Sequence, residues 1–254
     1  MDKNFWRERY HKDSYPAFPC PKCRNGVLKR VKERSIEHWE GKPDANGMYT
    51  EGKFSCFFEC SYGFCGTVAV MSGIAMSVYE QYVDPEGDEQ WQEEIYVHPK
   101  AMTPGPRIIR VPTKTPRPVK DEISKSFGLL WTDRNSAANK LRNAVEEILV
   151  GYGISKVNAK GAFIPLAKRL EDAEQQRMLH HDTLVALKDV GNTGSHEAEL
   201  PFKDLIDAFD ILEDALEDIY GGRKARLDGI KARLTKARRP SPRSVAPKAA
   251  KPKR

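Results

Sequence analysis

ALKDVGNTGSH, Ala186 to His196, ends a helical pattern in a glycine-bracketed turn that carries one histidine. Gly191 and Gly194 accept backbone angles that other residues resist, and Asn192 tolerates a left-handed conformation. A turn of this kind holds a polar side chain at a fixed angle, which makes His196 a candidate for chemistry. Two structural roles compete with that one. His196 can cap the next helix or bond a carboxylate such as Glu146, while Asn192 bonds the backbone of the turn.

Helical periodicity surrounds this stretch. Ile123, Phe127 and Leu130 recur at i, i+4 and i+7; Ala137, Leu141, Ala144, Val145 and Ile148 continue in a second helix, begun by Asp133 or Ser136 and ended by Gly151 and Gly153. Phe163, Leu166, Ala167 and Leu170 predict a third helix and Leu179 to Val190 a fourth. Leu205, Phe209, Leu212, Leu216 and Ile219 predict a fifth, closed by Gly221 and Gly222. Five helices with short loops give an antiparallel bundle over residues 119–222. Arg142 and Glu146 share one helical face at i, i+4, an ordinary ion pair worth about a few tenths of a kcal/mol unless both point at His196.

The chain before the bundle has another character. From Phe18 to about Val111 it is rich in cysteine, glycine, aromatic and β-branched residues, with short extended runs at Gly26–Lys32, Lys53–Glu59 and Thr67–Met71. Cys20 and Cys23 form C-x2-C, and Cys60 and Cys65 form C-x4-C followed by Gly66. Two short-spaced pairs bring four thiolates to one tetrahedral zinc, and the glycine permits the tight turn that aims backbone N–H groups at sulfur. The alternative is reduced cysteines packed as small apolar groups. Cys56 is set aside as buried and non-ligating, because a strand from Cys56 to Cys60 separates them by about 13 Å along the chain. With four protein ligands no position is left for water, so the zinc is expected to be structural.

The expected fold class is therefore α+β. A small β zinc ribbon (residues 1–100) precedes a proline-rich extended connector lying along the surface (101–118), the helical bundle (119–222) and a basic, largely disordered tail (223–254). The tail holds 13 Lys or Arg against one acid, Asp228, so a total of +6 conceals a body of −6. A tail of this kind binds polyanions without sequence preference or serves solubility. The amino terminus lacks the apolar core of a secretory signal, and the longest weakly apolar run, Thr67 to Val78, is too short to span a bilayer. Five cysteines in this arrangement favour metal binding in a reducing cytoplasm over disulfides.

Smaller features take bland readings. The adjacent His180 and His181 diverge on a helix and are read as solvated or capping. His38, Trp39 and Trp91 are assigned to the core of the β unit, and the acidic stretch Asp204–Asp218 to the solvated face of the last helix. No Gly-rich phosphate loop, G-x-S-x-G elbow, H-E-x-x-H site or dinucleotide fingerprint occurs.

The four cysteines, the segment WTDRNSAANKLRNAVEEIL at Trp131–Leu149, the run ALKDVGNTGSH and the helix DLIDAFDILEDALEDIYG together resemble a bacterial and phage family whose helical domain belongs to the HEPN superfamily. The resemblance covers most of residues 18–222. It implies a helical bundle that is often a homodimer, found in toxins, restriction-associated proteins and antiphage systems, where many members are metal-independent RNases with an Arg-x4-6-His motif. RNA supplies its own 2′-hydroxyl nucleophile, a histidine moves the proton and a cation stabilises the phosphate. Here the arginine is missing: Asp189, Val190 and Gly191 occupy its place, and the nearest cation is Lys188. The expectation is thus a zinc-binding, nucleic-acid-associated binding and assembly protein, with RNA or DNA held by the basic tail and by the bundle cleft. The enzymatic alternative is an endoribonuclease using His196, with Asn192 orienting phosphate, Lys188 or Arg142 supplying charge, and Glu146 beside them. A third is a protein-interaction scaffold that binds no nucleic acid.

Overall fold

In the computed structural model, residues 2–42, 50–193 and 199–237 are described. Six strands form one antiparallel sheet: β1 (Tyr10–His11), β2 (Phe18–Pro19), β3 (Val27–Trp39), β4 (Glu51–Cys60), β5 (Val68–Val83) and β6 (Glu89–Thr103), in the order β1-β6-β5-β4-β3-β2. The sheet curls into a half-barrel, which overturns the expected small zinc ribbon. The predicted runs are fragments of longer strands, since β3 has 13 residues, β4 has 10 and β5 has 16, and β6 lies where no run was predicted. Period-2 alternation marks only the half of a strand that has one face buried. Beyond Met76, β5 pairs with β6 alone, and polar residues such as Glu80, Gln81, Gln90 and Gln92 stand on that solvated hairpin. Trp91, expected in the core, lies there and is 64% exposed. His38 is exposed too, whereas Trp39 packs against the core.

The helical half consists of α1 (Arg117–Leu129), α2 (Arg134–Gly151), α3 (Leu166–Gln175), α4 (His181–Thr193), α5 (Phe202–Tyr220) and α6 (Arg223–Ala237). Asp133 caps α2: its carboxylate accepts the Ser136 N–H at 2.8 Å, satisfying a donor that the first helical turn leaves free. Helix α2 packs against α1, α3, α4 and α5, burying Ala137, Ala138, Leu141, Ala144, Val145, Ile148 and Leu149. Helix α3 starts later than its apolar pattern suggests. Phe163 is exposed and forms a bridge with Val157, Pro165 caps the helix, and Ala167 is exposed. The fully buried position of that stripe is instead Arg169. Its Nη2 donates to the carbonyls of Glu146 at 2.9 Å and Ile154 at 3.1 Å, and Nη1 stands 3.6 Å from the Glu146 carboxylate.

The connector does not run free over the surface. Ile108 and Ile109 are buried in the common core, and Arg110 N–H donates to Glu213 of α5. Sheet and helices also meet through an aromatic cluster in which Phe18 lies 5.7 Å from Trp6, 5.7 Å from Phe58 and 5.8 Å from Trp131 of the α1–α2 turn. Trp131 Nε1 donates to the carbonyl of Arg7, so the half-buried indole satisfies its polar edge across the junction.

Candidate metal centre

Two turns of the half-barrel carry the cysteines. Cys20 and Cys23 lie in the turn between β2 and β3, while Cys60 ends β4 and Cys65 lies in the turn to β5. Because β3 and β4 are antiparallel neighbours, with Leu28 opposite Cys60, these two turns fall at the same end of the sheet. The sulfurs of Cys20, Cys23, Cys60 and Cys65 all lie within 4.8 Å of one another. Cys20 Sγ is 3.8 Å from Cys65 Sγ, and Cys23 Sγ is 3.6 Å from Cys60 Sγ. A tetrahedron built on zinc–sulfur bonds of about 2.3 Å has edges of about 3.8 Å. All five cysteines are free thiols.

The surroundings are shaped for sulfur. Cys23 N–H donates to Cys20 Sγ at 3.5 Å, and Gly66 takes φ +63°, the left-handed angle that closes the second turn. At Gly26 a Cβ would stand 2.3 Å from Cys60 Sγ, so only glycine lets the β3 backbone approach this sulfur. The hydroxyl of Thr67, 3.1 Å from Cys65 Sγ, holds that thiol down at about 6. Burial, with the neighbouring sulfurs, pushes Cys60 up to about 12. Four crowded thiols resist joint ionisation, and a divalent cation removes that resistance by binding all four as thiolates.

Cys56 stands apart from the quartet. It is buried within β4, and burial raises its thiol to about 11. A buried thiol of that kind is a packing group rather than a ligand.

Residues singled out in the helical half have a different fate. Gly191 and Asn192 belong to α4, not to a turn, and Gly191 is buried against α2: a Cβ there would meet Arg142 Cβ at 2.5 Å and the Ala138 carbonyl at 3.1 Å. Its glycine identity answers a close helix–helix approach rather than a special backbone angle. Arg142 pairs with Glu146 at 3.2 Å, and the same carboxylate faces Arg169 and, at 3.9 Å, Lys156. Lys188 pairs with Asp189 at 2.8 Å, and Asn192 is exposed. His196 and Gly194 lie outside the described residues. The Arg142–Glu146 pair is thus joined to a buried arginine that periodicity had passed over, although position 169 falls on the stripe of Leu166, Leu170 and Ala173. His180 bonds Asp218 at 3.0 Å and His181 bonds Asp182 at 3.2 Å, leaving both in ordinary surface pairs.

Residues 124–243 match the model of a Domain of unknown function (DUF4145). Residues 8–100 match a second, also described as a Domain of unknown function (DUF8608). The second match covers nearly all of the sheet with all four clustered cysteines, and the first covers the C-terminal part of α1 and the remaining helices. No curated protein and no solved structure matches the chain. No helix among the described residues is long and apolar enough to cross a membrane.

Proposed function

We propose that this chain is a zinc-binding, nucleic-acid-associated binding and assembly protein, with zinc held by Cys20, Cys23, Cys60 and Cys65. The observation that carries the metal assignment is the sulfur quartet, in which the Cys23–Cys60 and Cys20–Cys65 separations of 3.6 and 3.8 Å suit the edges of a zinc tetrahedron. Zinc rather than calcium or magnesium fits an all-thiolate donor set, because hard cations take oxygen ligands. With every position supplied by protein, the ion ties the β2–β3 turn to the β4–β5 turn and has no open site for a reacting water.

Association with RNA or DNA rests on residues 223–254, whose 13 basic residues face one acid. The HEPN-like character of the helical domain, dimerisation and a role in host–phage conflict rest on the resemblance of residues 18–222. The enzymatic reading draws less support: Arg142 and Lys188 already have carboxylate partners, and Glu146 faces the buried Arg169.

Metal analysis of protein purified without added metal tests the first part, with one zinc per chain expected and a stoichiometry well below one refuting it. Retention of RNA by the full chain at low salt tests the second, since electrostatic binding is strongest there. A chain that retains none is a scaffold, as the third reading has it. Cleavage of RNA in EDTA, lost on His196→Ala with the fold intact, would instead establish the nuclease.

A further inference from the structure

A groove of about 560 Å³ runs between the first cysteine turn and the helices. Five cations line it: Lys22 and Arg24 from the cysteine turn, Arg107 and Arg110 from the connector, and Lys120 from α1. Among the described residues, Asp2 and Glu213 are the only acids in its lining, and both already accept backbone N–H groups, from Asn4 and Arg110. No carboxylate among the described residues forms an ion pair with any of the five cationic side chains. Where these side chains are bonded, the acceptors are neutral: Arg24 donates to the Thr113 hydroxyl at 2.8 Å, Lys120 to the Thr113 carbonyl at 2.7 Å and Arg107 to the Cys23 carbonyl at 3.4 Å. Elsewhere the molecule pairs its surface charges freely, as in Lys3 with Asp207 and Asp210 or Arg134 with Glu8 and Glu199.

Five like charges held in one concave strip repel each other, and a chain of anions spaced along the strip relieves that repulsion. The adjoining cysteine turn carries an aromatic platform. Phe64, 93% exposed, and Tyr62, 39% exposed, project from the turn between Cys60 and Cys65 with their rings 5.8 Å apart. Tyr62 abuts Gly26, two residues from Arg24. A cationic track on one turn with open aromatic rings on the neighbouring turn suits phosphates on one side and unpaired bases on the other.

We propose that this groove is a binding site for single-stranded nucleic acid, its phosphates on Lys22, Arg24, Arg107, Arg110 and Lys120 and a base stacked on Phe64. The assignment deepens the nucleic-acid reading above and depends on it, but places binding on the folded body as well as the tail. The cysteine cluster then gives the site its shape, because Lys22 and Arg24 sit on the turn that a metal would fix.

The test uses the full chain and a fluorescein-labelled 12-nucleotide single strand, titrated at several salt concentrations. Arg24→Glu/Arg110→Glu reverses two exposed groove charges, and Arg238→Glu/Arg239→Glu makes the same change of net charge in the tail. The groove pair is expected to weaken binding at least tenfold and at least threefold more than the tail pair, with a salt slope shallower by about 1.4, given about 0.7 per phosphate contact on a single strand. Phe64→Ala is expected to weaken the single strand at least fivefold while leaving a 12-base-pair duplex unchanged. Circular dichroism and metal content certify each fold, and Arg24→Lys/Arg110→Lys should bind within threefold of wild type. A groove pair that binds like wild type, or no more weakly than the tail pair, overturns the groove while nucleic-acid association by the tail survives. If wild type binds no oligonucleotide, the broader reading falls with it. Should Arg24→Glu/Arg110→Glu fail to fold, Arg24→Gln/Arg110→Gln takes its place under the same criteria.

Discussion

Gly26→Ala subjects the cysteine cluster to a one-atom perturbation. The added Cβ would lie 2.3 Å from Cys60 Sγ, 2.9 Å from Tyr62 Cβ and 3.0 Å from Tyr62 N. Ordinary contact between such atoms needs about 3.5–4.0 Å, so the sulfur or the strand must yield by more than about 1 Å. Metal–ligand distances tolerate only about 0.2 Å, so the shift exceeds what a zinc–sulfur bond absorbs. Zinc affinity should fall at least tenfold, equivalent to about 1.4 kcal/mol, in a competition titration against a chromogenic chelator. Overpacking also costs about 1–3 kcal/mol on its own. Thermal melts of metal-free wild type and variant measure that part separately. The reasoning fails if Gly26→Ala binds zinc as tightly as wild type, because Cys60 would then not be a ligand held where the backbone places it.

Three further outcomes follow from the helical half. Gly191→Ala should destabilise by about 1–3 kcal/mol in urea unfolding, because Cβ would sit 2.5 Å from Arg142 Cβ; helix propensity alone predicts a gain of about 1 kcal/mol, so the sign decides between packing and propensity. Arg169→Met empties a fully buried site of its charge, leaves the carbonyls of Glu146 and Ile154 without their donor, and leaves the Glu146 carboxylate with Arg142 and Lys156 alone. A loss of about 3–5 kcal/mol is expected, and a double variant with Glu146→Gln should lose less than the two single losses added together. Asp133→Ala should cost about 1 kcal/mol at neutral pH. The bonds from the Ser136 hydroxyl and N–H hold the Asp133 carboxyl below its unfolded value of 3.8, so its contribution is complete above that value and is lost as pH falls through the lower folded value. The gap between wild type and variant must therefore narrow in acid; a gap independent of pH would remove the charged cap as its cause.

The cysteine pairs were legible because ligand spacing is local. C-x2-C and C-x4-C each form within one turn, and the structure brings the two turns to one end of the sheet. Helices α1, α2, α4 and α5 were legible for a similar reason, since their apolar stripes repeat every turn against a single core. The half-barrel was not. Its longest strands leave the core part-way, so alternation fades where both faces are wet, and of the long hairpin β5–β6 only Thr67–Met71 read as extended. Arg169 was missed because an apolar stripe interrupted by arginine looks like a helix edge until two carbonyls and a carboxylate are seen around it.

The sequence by itself determined which residues can bind a metal, where most of the helices run and that the charge is split between an acidic body and a basic tail. Only the tertiary structure decided that Gly191 serves helix packing, that Glu146 faces a buried arginine, and that five cations from three separate segments line one groove. These depend on distances between residues far apart in the chain. Local periodicity records whether a side chain meets water or core, but it carries no information on which distant charge or backbone it meets there.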